Sequence, residues 1–220
     1  MLGKTVRKRV AARWPITRFG TMTDSAIHHH LFDTAIGTCG IAWSARGLVA
    51  VQLPETDEAT TEKRLVKKAH STGAAEPSPA MVALVADIRK YLAGERMDFS
   101  AVPVDLEGID DYRRTLYAAM RAIGYGVTTT YGELAKSLGA TDWEGARNVG
   151  EAMGKNPVPV VIPCHRVLAA GKKIGGFSAY GGTKTKEKLL ALEGVRFDGP
   201  TPKSKASKSP APELPRLPGL

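Results

Sequence analysis

The chain has 220 residues, of which 43% are hydrophobic and 24% are charged, and these values are ordinary for a globular protein that buries a sizeable core. No apolar run in the sequence approaches the ~20 residues of a membrane-spanning helix. The N-terminal segment also lacks the continuous apolar core of a secretory signal. Two cysteines, Cys39 and Cys164, are too few for a disulfide framework and suit a reducing compartment. We therefore expect a protein of a bacterial-type cytoplasm that does not enter a membrane.

The net charge of +9 is unevenly distributed along the chain. Residues 1–23 hold six Lys or Arg and no acid, and residues 199–220 hold four Lys or Arg and one Glu. In between, residues 24–111 hold 8 basic and 14 acidic side chains, whereas residues 112–198 hold 13 and 7. An acidic half followed by a basic half is expected of a protein that meets a polyanion with one face, although charge also fluctuates between segments without any partner.

Both ends of the chain are predicted to be disordered. Residues 1–23 form a basic, weakly patterned extension, and residues 197–220 form a tail rich in proline and lysine; neither composition buries enough apolar surface to offset the entropy of ordering. Met22 is an alternative start, and the acid-free extension also has the composition of a transit peptide. Residues 28–30 are three histidines, which occur in metal sites and expression tags, but without further ligands they favour a solvated polar stretch.

Residues 24–108 are predicted to form a small α/β domain. The runs 36–43 and 48–53 are β-prone and flank the sequence Ser-Ala-Arg-Gly at 44–47. Two such runs separated by a short turn segment indicate a β-hairpin.

Two helices are expected after the hairpin, near 56–70 and 78–93. The second is predicted to end at Gly94, because glycine commonly terminates a helix. Its apolar face is predicted, from the spacing of its hydrophobic residues, to comprise Val82, Val85, Ile88 and Leu92. We therefore expect a small sheet with a hairpin, covered by helices.

Residues 109–196 are predicted to form a mainly α-helical domain. Asp111 is placed to cap its first helix, and the sequence Gly-Tyr-Gly at 124–126 is expected to end that helix. One face of the helix is predicted to hold Tyr112, Leu116, Ala119 and Met120.

A helix-turn-helix is predicted from two short helices, at 131–138 and 143–153, that flank a tight turn at 139–141. Many helical pairs share this pattern, so it is weak when taken alone. The second helix is rich in small residues, namely Gly145, Ala146, Gly150, Ala152 and Gly154. Small residues let a backbone approach a neighbouring helix or a narrow groove. Arg147 favours nucleic acid, since a cation is poor material for a helix core.

The most informative stretch is NPVPVVIPCHRV at residues 156–167. Its prolines fix φ and remove hydrogen-bond donors, so a stiff apolar run of strand-like length ends at Cys164. A nucleophilic cysteine needs a nearby base or cation to acquire thiolate character, and His165 and Arg166 follow directly. These residue types are those of a reactive cysteine held at a fixed position.

The residues alone leave three alternatives open. Free cysteines are commonly buried in a core, and composition favours that interpretation of Cys164. A zinc site would need four ligands, of which one cysteine beside one histidine provides two. A direct dyad is awkward, because neighbours on an extended strand point to opposite faces. A bridging water is therefore the expected link between Cys164 and His165.

The stretch NPVPVVIPCHRV resembles the active-site motif of the O6-alkylguanine-DNA alkyltransferases, also called methylated-DNA–protein-cysteine methyltransferases. The resemblance covers residues 30–196 and includes the motifs TYGELA, GARNVGEAM, GGFSAYGG and KEKLLALEG. In the first domain the resemblance is less specific and rests on the stretch IGTCGIAWSARGLVAVQLPE. The resemblance implies a small α/β N-terminal domain followed by a mainly α C-terminal domain with a helix-turn-helix.

The resemblance also implies the roles of four catalytic residues. Cys164 is the alkyl acceptor, and His165 takes the thiol proton through a water molecule. Glu193 orients and stabilises the imidazole, while Asn156 holds the tight turn and helps to complete the hydrogen-bonded group. This is the arrangement of nucleophile, base and orienting group, applied to sulfur.

Two residues are implied to act on DNA, and six are implied to form the guanine pocket. Tyr131 crowds the phosphate on the 3′ side of the target nucleotide and contacts the guanine. Arg147 enters the base stack and occupies the space left by the rotated base. The pocket residues are Tyr131, Met153, Pro159, Val167, Phe177 and Ser178.

The implied reaction is one irreversible transfer per molecule from O6-alkylguanine in duplex DNA to Cys164, after nucleotide flipping, without a cofactor or metal. We expect a monomer that binds the minor groove with weak sequence preference, and O4-alkylthymine stays open as a further substrate. The segments ATDWEGAR and GGFSAYGG are longer than the usual family pattern, and Phe177 stands where tyrosine is frequent. These departures bear on pocket width and substrate range.

Two other functions stay open at this stage. A non-catalytic protein that flags alkylated bases would bind lesions without transfer; relatives of that kind lack the acceptor cysteine, which this sequence retains as Cys164. A regulator that uses the helix-turn-helix would strongly prefer one duplex sequence, whereas an alkyltransferase would show little preference.

Overall fold

The first half of the chain folds around a four-stranded sheet. The structure, a computed structural model, describes residues 26–140 and 143–196. The strands are β1 (His28–Thr34), β2 (Gly37–Ser44), β3 (Gly47–Gln52) and β4 (Gly73–Ala74), in the order β3-β2-β1-β4. The first three are antiparallel neighbours, and β4 runs parallel to β1. The predicted hairpin is therefore confirmed as β2 and β3.

Parts of several predictions fall outside the described residues. The extension 1–23 and the tail 197–220 are among them, as are residues 141 and 142 in the predicted helix-turn-helix. The division into domains between residues 108 and 109 stays a prediction, because one apolar cluster contains side chains from both halves of the chain.

The three histidines at 28–30 are not the solvated polar stretch that the sequence predicts. They begin β1 and pair with residues 41–43 of β2. His29 is buried, with its Nδ1 2.8 Å from Ser71 Oγ and its Nε2 3.1 Å from Glu62 Oε1. The prediction was wrong because partners distant in sequence satisfy the buried imidazole. Among the described residues, no group of three or more His, Cys, Asp or Glu is placed to hold a metal ion.

Two helices, α1 (Glu58–Ala69) and α2 (Pro79–Leu92), follow the hairpin near their predicted positions. Gly94 lies just beyond α2 with a φ of +97°, as expected of a residue that ends a helix. The predicted face of α2 was wrong at Val82, which is 52% exposed. The buried face comprises Met81, Leu84, Val85, Ile88, Tyr91 and Leu92. The apolar stripe is therefore rotated away from Val82, and a tyrosine belongs to it.

The second half is mainly helical. Its helices are α3 (Asp111–Arg121), α4 (Tyr131–Ser137), α5 (Trp143–Gly154) and α6 (Thr183–Leu192). Two short parallel strands, β5 (Thr129–Thr130) and β6 (Val167–Leu168), tie the start of α4 to the segment after Cys164. Within 26–140 and 143–196, no helix is long and apolar enough to cross a membrane. The elements confirm a small α/β part followed by a mainly helical part.

The start and the buried face of α3 differ from the prediction. Asp110, not Asp111, is the cap, since its Oδ1 accepts from the backbone N–H of Arg113 at 2.8 Å. Tyr112 is 45% exposed, and the buried side chains are Leu116, Tyr117 and Met120. Adjacent aspartates satisfy the capping pattern equally well, and only the backbone geometry distinguishes them.

The Pro-rich run at 157–163 forms buried turns and not a strand. Val160 within it has a φ of +75°, which a β-branched residue adopts only under strain. The run ends in one turn of 3₁₀-helix, Cys164–Arg166. Its side chains belong to the apolar cluster that also holds Ile88 and Leu116, so the motif lies in the core between the two halves.

Candidate active site

Cys164 is the first residue of the 3₁₀ turn, and only 4% of its surface is exposed. Its backbone N–H donates to the carbonyl of Ile162 at 2.8 Å. The turn corrects the expectation of an extended strand at this point. The relative directions of Cys164 and His165 are therefore set by the turn and not by strand alternation.

Asn156 holds the turn that precedes the cysteine. Its Nδ2 donates to the carbonyl of Ile162 at 2.8 Å, and its Oδ1 accepts from the N–H of Val158 at 3.0 Å. A strained residue persists only where its surroundings over-determine it, and these contacts bracket the positive φ of Val160.

His165 and Glu193 form a fully buried pair beside this turn. The Nε2 of His165 lies 2.9 Å from Oε1 of Glu193, which follows α6 in the chain. The backbone N–H of Gly126 donates to the other carboxylate oxygen at 2.9 Å. The Nδ1 of His165 is buried and has no hydrogen-bond partner among the described residues. Because Nε2 carries the proton shared with the carboxylate, Nδ1 is left as an acceptor.

Two further residues, Tyr91 and Arg166, complete the surroundings of the carboxylate. The hydroxyl of Tyr91, from α2, donates to Glu193 Oε1 at 2.8 Å and lies 3.1 Å from His165 Nε2. Arg166 donates to both carboxylate oxygens, from Nε at 2.9 Å and from Nη2 at 2.8 Å. Sequence reasoning missed both roles. The motif contains Arg166, but nothing in the local pattern distinguishes Tyr91 from an ordinary core residue.

The ionisation of the site follows from burial and from these hydrogen bonds. Burial raises the pKa of the Cys164 thiol, although the hydrogen bond from Asn156 opposes the shift. Burial lowers the pKa of His165 below its ordinary 6.5. Burial alone would raise the pKa of Glu193, but the hydrogen bonds from His165 and Arg166 hold it well below its ordinary 4.5. The site therefore holds a thiol, a neutral imidazole and a carboxylate at neutral pH.

Lys186, which begins the KEKLLALEG motif, is a third residue whose role the sequence analysis missed. It is fully buried, and its ammonium donates to the carbonyls of Val167 at 2.6 Å and Gly176 at 3.3 Å. It lies 5.8 Å from the ring centroid of Tyr131. Burial lowers the pKa of Lys186 to about 8. Its charge favours the thiolate form of Cys164.

A cavity of about 250 Å³ opens beside the sulfur. Its lining includes the predicted pocket residues Tyr131, Met153, Phe177 and Ser178, together with Cys164. Pro159 lines a second cavity, which also borders Cys164. Val167 lines neither cavity; it is buried, and its carbonyl holds Lys186.

The ring of Tyr131 passes between two glycines. A Cβ at Gly150 would lie 3.8 Å from the ring, and one at Gly175 would lie 3.3 Å from it. Gly175 also has a φ of +68°, so a larger residue there would be strained as well as crowded. Close approach to Tyr131 is thus one reason for small residues around this cavity.

Arg147 is exposed on α5, apart from the buried catalytic group. The small residues of α5 differ in their burial. Gly145 and Ala152 are buried, whereas a Cβ at Gly154 would meet no atom within 4 Å among the described residues. The helix therefore packs against the protein through Gly145 and Ala152, and Gly154 near its end lines the cavity beside Cys164.

The chain is similar to known proteins over most of its length. The family model of the 6-O-methylguanine DNA methyltransferase DNA-binding domain matches residues 111–195, and that of the ribonuclease-like domain of these enzymes matches residues 27–106. A methylated-DNA–protein-cysteine methyltransferase of Mycolicibacterium paratuberculosis is 39% identical over 167 residues, which are 76% of this chain and 92% of the relative.

Solved structures show the same fold. The O6-methylguanine methyltransferase of Mycobacterium tuberculosis, and OGT of that organism in complex with DNA, each give a TM-score of 0.59 at 32% identity, covering 76% of this chain and 92% of theirs. An O6-methylguanine-DNA methyltransferase of Pyrococcus kodakaraensis gives 0.60 at 26% identity, covering 77% and 99%. With both family models matched in order and a cysteine, histidine and glutamate assembled in the core, this chain belongs to the methylated-DNA–protein-cysteine methyltransferase family.

Proposed function

We propose that this protein repairs DNA by taking the alkyl group of O6-alkylguanine irreversibly onto the sulfur of Cys164, once per molecule. The observation that carries the proposal is the buried group beside this sulfur. His165 is held through Nε2 by Glu193 at 2.9 Å, and its Nδ1 has no partner within the described residues. The methyltransferase relatives support the same reaction.

Transfer replaces the C–O6 bond of the lesion by a C–S bond. The thiol of Cys164 gives its proton through a water molecule to Nδ1 of His165, and Glu193 stabilises the imidazolium that forms. The electron pair of the broken bond stays on O6, and the ring takes up one proton, so that unmodified guanine is released. The thioether has no easy route back to a thiol, so each molecule acts once, without a metal or an added cofactor.

The reactive carbon lies inside the duplex, so the nucleotide must rotate out of it, at a cost of a few kcal/mol. We propose that Tyr131 crowds the 3′ phosphate during this rotation and that exposed Arg147 fills the gap in the stack. The helices α4 and α5 act as a helix-turn-helix, and α5 approaches the minor groove with its exposed face, which includes Arg147. The DNA complex of the M. tuberculosis relative supports DNA as the partner.

Binding rests mainly on phosphate contacts, because alkylation damage occurs in any sequence. The second half of the chain supplies the basic residues for these contacts, and such binding weakens as salt increases. The protein is proposed to act as a monomer on duplex DNA.

Intact mass measurement tests the proposal. After incubation with a duplex containing O6-methylguanine, the protein should gain the mass of one CH₂, on the peptide that contains Cys164. The variant Cys164→Ala should gain nothing while still binding the duplex. The matched control is Cys39→Ala, because burial raises the pKa of Cys39 to about 12 and this thiol lies outside the site.

Two outcomes would contradict the proposal. Unchanged mass together with tight binding of the methylated duplex would indicate a protein that flags lesions without repairing them. A clear consensus in a selection from random duplexes would indicate a sequence-specific regulator.

A further inference from the structure

A second cavity, of about 410 Å³, meets the guanine-side cavity at Cys164. The two cavities share Cys164, Gly154, Phe177 and Ser178. The second one extends from the sulfur towards α1 in the first half of the chain, where Lys67 belongs to its lining. Cys164 thus borders two adjoining cavities.

The wall of the second cavity is strongly cationic. Four basic side chains, which we name the cationic wall, line it: Arg64, Lys67, Lys68 and Lys155. No Asp or Glu occurs among its lining residues in the described part of the chain. The rest of the lining is largely apolar and includes Leu53, Pro157, Pro159 and Phe177.

Two of the four charges are neutralised by nearby carboxylates. Arg64 pairs with Glu55 at 2.9 Å, and Lys155 pairs with Glu151 at 2.9 Å. The other two are not neutralised in this way. Lys67 makes no ion pair with any described residue.

The fourth charge belongs to Lys68, whose ammonium donates to a neutral backbone carbonyl, that of Val51, at 3.1 Å. Its charge is near enough to interact with a Cys164 thiolate. Together with Lys67, it leaves the wall with two positive charges in excess.

The geometry of transfer indicates which part of the substrate occupies the second cavity. The carbon under attack must lie between the sulfur and O6, and the guanine takes the space beside Tyr131 and Met153. The remainder of the alkyl group then projects to the side of the S–C–O line, into whatever space adjoins Cys164. The second cavity is such a space, since it shares the sulfur with the first.

We propose that the second cavity receives the O6-alkyl group and that its cationic wall favours groups ending in a carboxylate. This rests on the proposed transfer to Cys164. The C–S bond forms and the C–O6 bond breaks as for methyl. The thiol gives one proton to His165 through water, the electron pair of the broken bond stays on O6, the guanine ring takes up one proton, and the carboxylate is unchanged. The apolar lining accommodates the methylene groups, and Lys67 and Lys68 attract the terminal charge.

Single-turnover transfer from three duplexes tests the preference. They carry O6-methylguanine, O6-(3-carboxypropyl)guanine, and the primary amide of the latter, which has nearly the same shape without the charge. We expect the wild-type protein to transfer the carboxylate faster than the amide. Lys67→Gln should lower that ratio about two- to fivefold, which corresponds to ~0.4–1 kcal/mol for an exposed charge pair. Lys63→Gln is the matched control, an exposed α1 lysine outside the cavity lining, and should leave the ratio unchanged.

Binding to the Cys164→Ala variant gives a readout that does not depend on transfer. This variant should bind the carboxylate duplex more tightly than the amide duplex, and adding Lys67→Gln should reduce the difference, because Lys68 remains. Equal rates and equal affinities for carboxylate and amide would overturn the proposal. So would an equal loss on all three duplexes in Lys67→Gln, which would indicate contact with DNA phosphates. Absence of transfer from all three duplexes would contradict the proposed function, while the binding comparison would still decide the preference.

Discussion

Replacing Tyr91 with phenylalanine removes one hydroxyl from the buried group around Glu193. The ring contacts of Tyr91 are kept, including the edge-to-face contact with Phe99 at 5.7 Å and that with Tyr125 at 6.3 Å. The change therefore isolates the hydrogen bond to Glu193 at 2.8 Å and the contact with His165 at 3.1 Å.

The expected loss follows from the charge of the acceptor. A hydrogen bond to a charged group contributes about 1.5–3 kcal/mol, and Glu193 keeps its donors on Arg166 and Gly126. We therefore expect the lower part of that range, ~2 kcal/mol at pH 7. For a domain of this size, each kcal/mol corresponds to about 2–4 °C in Tm. Transfer should also slow, because His165 loses one of the groups that orient it.

Urea denaturation at several pH values measures this effect. The pKa of Glu193 is lowered in the folded state, so its stabilisation is present above pH 4.5 and is lost as the pH falls through the folded pKa. The difference between wild type and Tyr91→Phe should shrink in the same direction. Tyr112→Phe is the control, because Tyr112 is 45% exposed, and its effect should stay within ~0.5 kcal/mol. A Tyr91→Phe protein as stable as wild type at pH 7 would refute the reasoning.

Two further predictions concern the turn and the base. Asn156→Ala leaves the N–H of Val158 unpaired in the core and removes one of two donors from the carbonyl of Ile162, which keeps the N–H of Cys164. At about 1–3 kcal/mol for the unpaired N–H and about 0.5–1.5 kcal/mol for the lost hydrogen bond, unfolding should show a loss of ~2–4 kcal/mol, whereas exposed Asn148→Ala should show none. Because burial lowers the pKa of His165 below 6.5, the imidazole is neutral above that pH, and the transfer rate should stay level from pH 6.5 to about 8 and fall only at lower pH. A decline that begins above pH 6.5 would contradict a neutral base.

The residues near the cysteine could be predicted because the motif contains them. Asn156, Cys164 and His165 lie within ten positions of one another, and a stiff Pro-rich segment brings them together. The conformation of that segment could not be predicted from its composition. An apolar run of this length favours a strand, but Asn156 and the strained Val160 bend it into turns.

Residues that join the site from far along the chain could not be found from local patterns. Tyr91 is 74 positions from His165 and 102 from Glu193. Its helical spacing marks it as a core residue, and a core tyrosine needs a partner for its hydroxyl, but the sequence does not say which one. The same reason explains the histidines at 28–30, where Ser71 and Glu62 supply partners for a residue that polarity alone would leave in water.

None of the site residues that the family resemblance implies lies in the first half of the chain. This half nevertheless contributes to the site at three places. β3 donates from the N–H of Val51 to the carbonyl of Pro157 at 3.0 Å and so fixes the turn before Cys164. α2 supplies the hydroxyl of Tyr91, and α1 supplies Lys67 and Lys68 to the second cavity. A fragment with the second half alone would keep nucleophile, base and carboxylate, but it would lose a charge-assisted hydrogen bond, a constraint on the turn and most of the cationic wall. In the proposed mechanism, the first half therefore sets the orientation of the base and the space available to the alkyl group, while the second half supplies the transfer chemistry and the surface for DNA.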